Sequence, residues 1–567
     1  MSLPILAVAV LLWLALGYRV YGNFVARQYC LDDSVKTPAN AVNDGVDFVP
    51  AGRFYLLGQH FSAIAAAGPI AGPILACQLF GWLPCILWIA LGVVFIGAVH
   101  DFSSLVASVR HRGRSIAEIV REHLGQRAFL AMMGFIWVAL VYVIVAFTDI
   151  TANTFVGRSE ELAGGTFTFN PGGAVAAASV LYLFLAVLMG VIQRLWAPPL
   201  WLLTAVFVPA TLGVVWLGTT ISTLLIFDAK VWGILILLYC LAASVAPMWL
   251  LLQPRGYLGG FVLYLALFVG VAGILFGGFS IRQDAFVAWR APGPLGGLFP
   301  FLFVTIACGA CSGFHGLVCS GTTSKQIARE SDCRPVGYGG MVLEGFVALV
   351  ALATIMIVAP VEVADRSPGV IYGEGIGRFL VVLIGEDHLR FAVTFGAMAF
   401  STFVFDTLDV SARLGRYILE ELLRPRNRAV ASLATTSTVA VPLVLIVTGG
   451  ESTYRAFWTL FGTSNQLLAA LTLLAVTVWL RATGRRYWYA LWPTVFLMAV
   501  TINALAIQAW TGLGALGLNA PTMNALVALV LIALAVVIIR EAAGTFRRAP
   551  RSVLPPAAAN EKSTKHS

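Results

Sequence analysis

Residues 58–73 read GQHFSAIAAAGPIAGP, and residues 307–325 read ACGACSGFHGLVCSGTTSK. The first stretch sets Gly68-Pro69 and Gly72-Pro73 in the middle of an apolar run long enough to cross a bilayer. The second sets Gly309, Gly313, Gly316 and Gly321 within thirteen residues of another such run, with Ser and Thr between them. Pro removes a backbone donor, and Gly weakens the helix around it. Backbone left unpaired at membrane depth survives only against protein or a watery cavity. Each stretch also carries Gly-x-His, as Gly58/His60 and Gly313/His315, 255 residues apart. Gly in one span alone would be read as a device for close helix packing. A matched pair of interrupted spans points instead to a transport site between two repeats.

The rest of the chain supplies the frame. Of 567 residues, 59% are apolar and 11% charged, and the mean hydropathy is +0.88. A soluble domain carries about 25% charged residues, so neither a soluble nor a disordered chain fits. With 8 Cys, a disulfide scaffold is excluded too. The apolar runs are long and continuous, unlike the short alternating strands of a transmembrane barrel. Runs of about 20 residues fall at 3–21, 54–80, 83–109, 129–150, 174–193, 199–225, 231–252, 257–279, 299–320, 338–361, 389–408, 430–448, 457–481, 488–511 and 522–540. The sequence thus predicts an all-α polytopic membrane protein of about fifteen transmembrane helices. The run 199–225 is interrupted by Pro199 and Pro209. The two broken spans are the second and the ninth, and an odd offset of seven means opposite insertion. Spans 2–6 and 9–13 are expected to form two inverted five-helix repeats. The organisation is then 1–53 (N-terminal helix and loop), 54–228 (first repeat), 229–298 (inserted helix pair and outer loop), 299–484 (second repeat), 485–540 (C-terminal pair) and 541–567 (disordered tail).

Lys and Arg set the orientation. Loops after odd-numbered spans, with the C-terminal tail, hold 28 of the 36 basic residues. The densest are Arg110 to Arg114, Arg413 to Arg428 and Arg481 to Arg486. The odd loops and the C-terminus are therefore expected in the cytoplasm and the N-terminus outside. The first span lacks a basic n-region and reads as an uncleaved helix. The net charge of +9 is explained by cytoplasmic loops beside anionic lipid and calls for no nucleic acid.

Five strings, in order, carry a likeness: LDDSVKTPANAVNDGVDFVP (Leu31 to Pro50), GQHFSAIAAAGPIAGPILA (Gly58 to Ala76), CGACSGFHGLVCSGTTSKQ (Cys308 to Gln326), FVFDTLDVSARLGRYILEEL (Phe403 to Leu422) and FGTSNQLLAAL (Phe461 to Leu471). Across most of residues 18–482 the chain resembles the carbon starvation protein A (CstA) family of bacterial inner-membrane transporters. The resemblance implies a secondary transporter of carbon sources, with peptides or pyruvate and a coupled proton as cargo. It also implies a LeuT-like fold, that of the amino acid–polyamine–organocation transporters. The chain departs from the family pattern at Gln59-His60, where two His are common, and at Cys311 and Cys319, where Ile and Ser are common.

Ionisable groups inside spans are functional candidates by default. His60 and His315 lie beside the breaks and could bind a carboxylate or relay a proton. Glu344, in span 10, suits a proton carrier that loads on one side and empties on the other. Asp101, after His100 near the end of span 3, is a further coupling candidate, and Asp149 lies in span 4. Asp406 and Asp409 share a helix face with Arg413 and Arg416 at helix spacing, which predicts a gate or an ion-pair clasp. Asn465 and Gln466 offer amide contacts or interhelical hydrogen bonds. Substrate is expected at helix ends and hydroxyls: Gly68, Pro69 and Gly72 in the first break, Ser312, Gly313 and His315 in the second, and Ser320, Thr322 and Thr323 beyond it. Half-helix N-termini favour an anion.

Cys308, Cys311, His315 and Cys319 have spacings that would allow a metal with soft ligands, yet buried Cys more often serves as a small apolar residue. No metal or other cofactor is expected. Ser312 or Ser320 with His315 lacks the orienting group and oxyanion site of a hydrolase, and there is no filter string of a channel. The reading is a transporter of a small carboxylate-bearing nutrient working by alternating access. A proton is the expected coupling ion, and sodium is the alternative because unwound carbonyls also bind it. Oligomeric state is not readable from the chain.

Overall fold

The computed structural model describes residues 2–45, 47–65, 67–156, 169–290, 296–364, 366–423, 428–448, 454–514 and 520–548. Most of the tail expected at 541–567 lies outside them. Among the described residues all regular structure is helical, and extended pairing is limited to isolated bridges such as Ser2 with Ser280. Eleven helices among the described residues are long and apolar enough to cross a membrane, or twelve if Arg53–Ile64 and Gly68–Phe80, bent by 47°, count as one span.

Fifteen spans were expected, and the difference has three sources. Ala229–Val245 and Leu433–Val447, in spans 7 and 12, are apolar but shorter. Span 9 is split into Leu298–Thr305 and Gly313–Gly321. A further helix, Pro368–Ile384, lies where an outer loop was expected. Glu374 and Arg378 interrupt its apolar pattern, and Pro368-Gly369 at its start looks like a turn. This helix runs antiparallel to Leu389–Leu423 through Gly369, Gly373 and Gly377. A methyl group at Gly369 would meet Phe400 at 2.8 Å, one at Gly373 would meet Ala397 at 2.6 Å, and one at Gly377 would meet Val393 at 2.7 Å. Glycines four apart let the two backbones close. The helix also meets Thr154, Thr354 and Gly273, each in the last turn of a long helix, so it docks against one end of the bundle.

Burial grades the spans. The window in Phe457–Ala482 is 94% buried and that in Gln126–Phe155 is 78%, against 22% for Leu200–Thr220 and 33% for Leu3–Tyr29. The enclosed Phe457–Ala482 carries Thr, Ser, Asn and Gln that bond to neighbours. The peripheral helices present Leu, Val and Trp where lipid would lie.

The two breaks touch. A methyl at Gly72 would lie 2.6 Å from the Thr305 carbonyl oxygen, and one at Gly68 would collide with Cys308. Gly92 and Gly97, flanking and within the π-helical turn Val93–Gly97 of Trp82–Arg110, and Gly462 pack against the same unwound stretch. Residues 304–310 are thus enclosed by the backbones of three other segments.

Candidate functional site

Three buried ionisable side chains from three helices converge behind the second break. Asp101 comes from Ala98–Arg110, His315 from the first turn of Gly313–Gly321, and Glu344 from Gly339–Met356. His315 Nδ1 is 2.8 Å from Asp101 Oδ2, and its Nε2 is 2.9 Å from Glu344 Oε2. Asp101 Oδ1 is 2.7 Å from His100 Nδ1. Among the described residues neither Glu344 oxygen nor His100 Nε2 has a hydrogen-bond partner, so His315 meets Glu344 as a close ion-pair contact rather than an aligned hydrogen bond. One imidazole therefore bridges two carboxylates away from solvent, and no Lys or Arg pairs with either carboxylate among the described residues. Burying charge is tolerated only with partners of this kind. Asp101, His315 and Glu344, separate candidates in the sequence, are one cluster in space. His100 was passed over as a mere neighbour of Asp101, although a second ionisable group in the same span was the available signal.

His60 is buried beside this cluster rather than in it. Its Nδ1 lies 2.9 Å from Thr323 Oγ1, and its Nε2 has no partner among the described residues. The first broken span and the end of the second one thereby touch. Ser320 does different work. Its hydroxyl donates to the Gly316 carbonyl and accepts from the Ile116 N–H at 3.1 Å, so it holds the start of the helix Ile116–Leu124. Thr322 Oγ1 donates back to the Val318 carbonyl.

The unwound backbone is satisfied from outside. Trp88 Nε1 donates to the Ile306 carbonyl, Trp458 Nε1 to that of Thr305, and Gln466 Nε2 to that of Phe303. At the N-terminus of Gly313–Gly321, Asn465 Oδ1 accepts the Phe314 N–H at 2.9 Å, and Asn465 Nδ2 reaches Ser312 Oγ at 3.0 Å. Ser312 occupies the capping position but makes no cap itself; the cap comes from another helix. Gly313 packs against the backbone of that same helix at Ala469. Gly68, Pro69 and Gly72 face the second break, with Pro69 next to Gly309.

The expected clasp has a different cation. Asp406 Oδ1 and Asp409 Oδ2 lie 2.5 Å and 2.7 Å from the guanidinium of Arg255, which is fully buried. Tyr239 donates to Asp409, and Tyr182 donates to the Arg255 carbonyl. Arg413 and Arg416 do not form the predicted pairs. Arg413 donates to the carbonyls of Ala243 and Ala246, and Arg416 to that of Ser244. They cap the C-terminal end of Ala229–Val245, where unpaired carbonyls and the helix dipole favour cations. Helix spacing revealed which side chains share a face but not the neighbour across from it.

No three of Cys308, Cys311, His315 and Cys319 bring ligand atoms within 4.8 Å of one another. Both ring nitrogens of His315 face carboxylates, and Cys308 Sγ accepts from Asn465.

A polytopic helical bundle with a broken span packed on a second break, and with a carboxylate–imidazole–carboxylate chain behind it, defines a membrane transporter. The comparisons give the family. The family Carbon starvation protein CstA matches residues 1–374 and 358–504, and the chain belongs to it. It is 33% identical over 562 residues to the peptide transporter CstA of Helicobacter pylori, covering 86% of this chain and 79% of that one. It is 31% identical to the peptide transporter CstA of Bacillus subtilis, over 89% and 90%, and 30% identical to the pyruvate/proton symporter BtsT of Escherichia coli, over 87% and 80%. Among solved structures, a manganese transporter of Eremococcus coleocola aligns over 88% of this chain and 97% of its own, at 14% identity and a TM-score of 0.41. The chain is thus a multi-pass membrane transporter of this family and not an enzyme.

Proposed function

We propose that the chain imports a small carboxylate-bearing nutrient, pyruvate or a short peptide, across a bacterial inner membrane by proton-coupled alternating access. The observation that carries this reading is the placement of His315 between Asp101 and Glu344. With both carboxyls ionised and the imidazole charged, the set keeps one net negative charge in an apolar interior. One further proton neutralises it, so the cluster suits a carrier that takes up a proton on one face and gives it up on the other. Its members belong to three helices, one of them the half-helix that follows the second break, so their spacing depends on how that half-helix is packed. His60 Nε2, unpartnered and next to Thr323, is the group we assign to the substrate carboxylate.

A proton is favoured over sodium because the carbonyls freed at residues 303, 305 and 306 already accept side-chain N–H groups. The relatives named for peptides and for pyruvate with a proton fit the same chemistry. The two inverted repeats, 54–228 and 299–484, with the N-terminus outside and the C-terminus cytoplasmic, belong to this proposal. Contact between the two breaks supports it. The helix Pro368–Ile384, docked against the ends of its neighbours, leaves the alternation of basic loops intact.

The test is reconstitution in liposomes with labelled pyruvate against labelled di- and tripeptides, under imposed proton or sodium gradients. Accumulation should follow an inwardly directed proton gradient and vanish with an uncoupler; uptake driven by sodium alone would remove the proton reading. Glu344→Gln should keep substrate exchange but lose uphill uptake. Wild-type accumulation in that variant would clear Glu344.

A further inference from the structure

The corner where Ala98–Arg110 hands over to Ile116–Leu124 holds a second group of ligand-type side chains, far in sequence from His315. His111 stands just past the end of the first helix, and Glu122 and His123 stand in the last turn of the second. A tight turn brings them together: Arg112 and Gly113 both take left-handed conformations, at φ 60° and 72°. Among the described residues these three alone offer nitrogen and carboxylate atoms all within 4.8 Å of one another.

The hydrogen bonding at this corner prepares one ring for a cation. His111 Nδ1 lies 2.6 Å from the Ala107 carbonyl, a contact it makes only as an N–H donor. In the neutral ring that leaves Nε2 with its lone pair, aimed at His123 Nε2 at 2.8 Å. A backbone carbonyl holding the far nitrogen is the usual second shell of a metal-binding His. Two nitrogens on one tetrahedral metal, with bonds of about 2.0–2.1 Å, stand roughly 3.3–3.4 Å apart, so the rings must part by about half an ångström to seat an ion between them. Trp479 packs edge-on against the His111 ring at 5.3 Å and limits its swing. The corner borders an open cavity of about 730 Å³ that gives access from solvent. Three of its four arginines have a carboxylate partner in place: Arg110 pairs with Glu330 at 2.6 Å, Arg121 with Glu118 at 3.0 Å, and Arg114 with Glu122 at 2.9 Å, while Arg112 lies at the turn between the two helices. The last pair is exposed on both sides. Exposed pairs are weak, so Arg114 yields Glu122 readily or stays behind it as an outer partner.

We propose that His111, His123 and Glu122 form a site for a divalent transition metal of the zinc, cobalt or nickel type, completed by water. Two imidazoles and one carboxylate suit these ions rather than calcium or magnesium. The site would staple the corner between the two helices. That corner touches the second broken span, because the Ile116 N–H donates to the Ser320 hydroxyl and Ser108 Oγ, which donates to the Arg114 carbonyl at 2.7 Å, lies 3.3 Å from the Ser320 carbonyl. Metal binding does not depend on the proposed transport cycle and is measured apart from it.

The experiment is Co²⁺ titration of the full chain, purified without a polyhistidine tag, followed by the visible d–d absorption of the ion, with Zn²⁺ as competitor. The expected result is one Co²⁺ per chain, displaced by Zn²⁺. Affinity should fall at least about tenfold in both His111→Gln and His123→Gln, and stay unchanged in Cys311→Ser. Thermal unfolding of each variant without metal separates lost binding from lost fold. Absence of a stoichiometric Co²⁺ signal, or affinity unaltered in both His variants, would overturn the site and leave the two rings as a proton-sharing pair.

Discussion

His315 and Arg255 each answer two carboxylates inside the bundle, and they do so with different chemistry. An imidazole can lose its proton, so the set Asp101–His315–Glu344 can change charge. A guanidinium stays charged in any protein setting, so Arg255 between Asp406 and Asp409 is a fixed tie between Leu252–Phe276 and Leu389–Leu423. Removing one member of a buried pair strands the other and costs about 3–5 kcal/mol. Arg255→Met should therefore lower thermal stability in detergent by that order. Adding Asp406→Asn and Asp409→Asn should restore much of it, because the stranded charges are gone. An Arg255→Met protein as stable as wild type would show that the tie contributes nothing.

The candidate residues in the spans were legible one by one, since an ionisable group in an apolar run stands out. Their partners were not. Glu344 lies 29 positions from His315, and Asp101 lies 214 positions from it; no helical period connects such distances. Asp409 and Arg413 show the converse, a pairing that periodicity suggests and packing refuses. The arginine found carbonyls at the end of a neighbouring helix, while a buried cation from a third helix took the carboxylate.

At the scale of elements, the two breaks were readable because Gly and Pro announce them, and their contact explains why the residues are so small. Gly72 faces the Thr305 carbonyl where even a methyl group would stand only 2.6 Å away. Gly72→Ala should push the halves apart at an overpacking cost of about 1–3 kcal/mol. It should also reduce transport far more than Gly321→Ala, whose position has no neighbour within 4 Å. Equal activity of the two variants in liposomes would argue against a tight contact between the breaks. The helix Pro368–Ile384 was missed for the opposite reason. Its faces are mixed, and its stability comes from Gly369, Gly373 and Gly377 closing on another helix, which a hydropathy pattern does not register.

For the whole molecule, orientation rests on the distribution of Lys and Arg, and one native side chain reports on it. Of eight free cysteines, Cys30 is exposed and the other seven are buried. It follows the first span, in a loop expected in the cytoplasm. A membrane-impermeant maleimide should label it in inside-out vesicles and leave it unlabelled in right-side-out ones. The reverse pattern would invert the topology proposed above. The same exposed side carries contacts between the segment after the first helix and the segment after the second broken span. The Ser331 N–H donates to Asp33 at 2.8 Å, and the Asp32 N–H donates to Glu330 at 2.7 Å.

Composition and spacing alone determined that the chain is a helical membrane protein, where most of its spans begin, and which two are broken. Those properties follow from transfer of side chains and backbone into hydrocarbon, which acts on each segment locally. Only the tertiary structure decided which carboxylates flank His315, which cation holds Asp406 and Asp409, and that Asn465 caps a helix at Phe314, 151 positions away. Those choices depend on short-range contacts between helices distant in sequence, and a hydrogen bond or ion pair has no strength until the packing of the bundle brings its two atoms within about 3 Å.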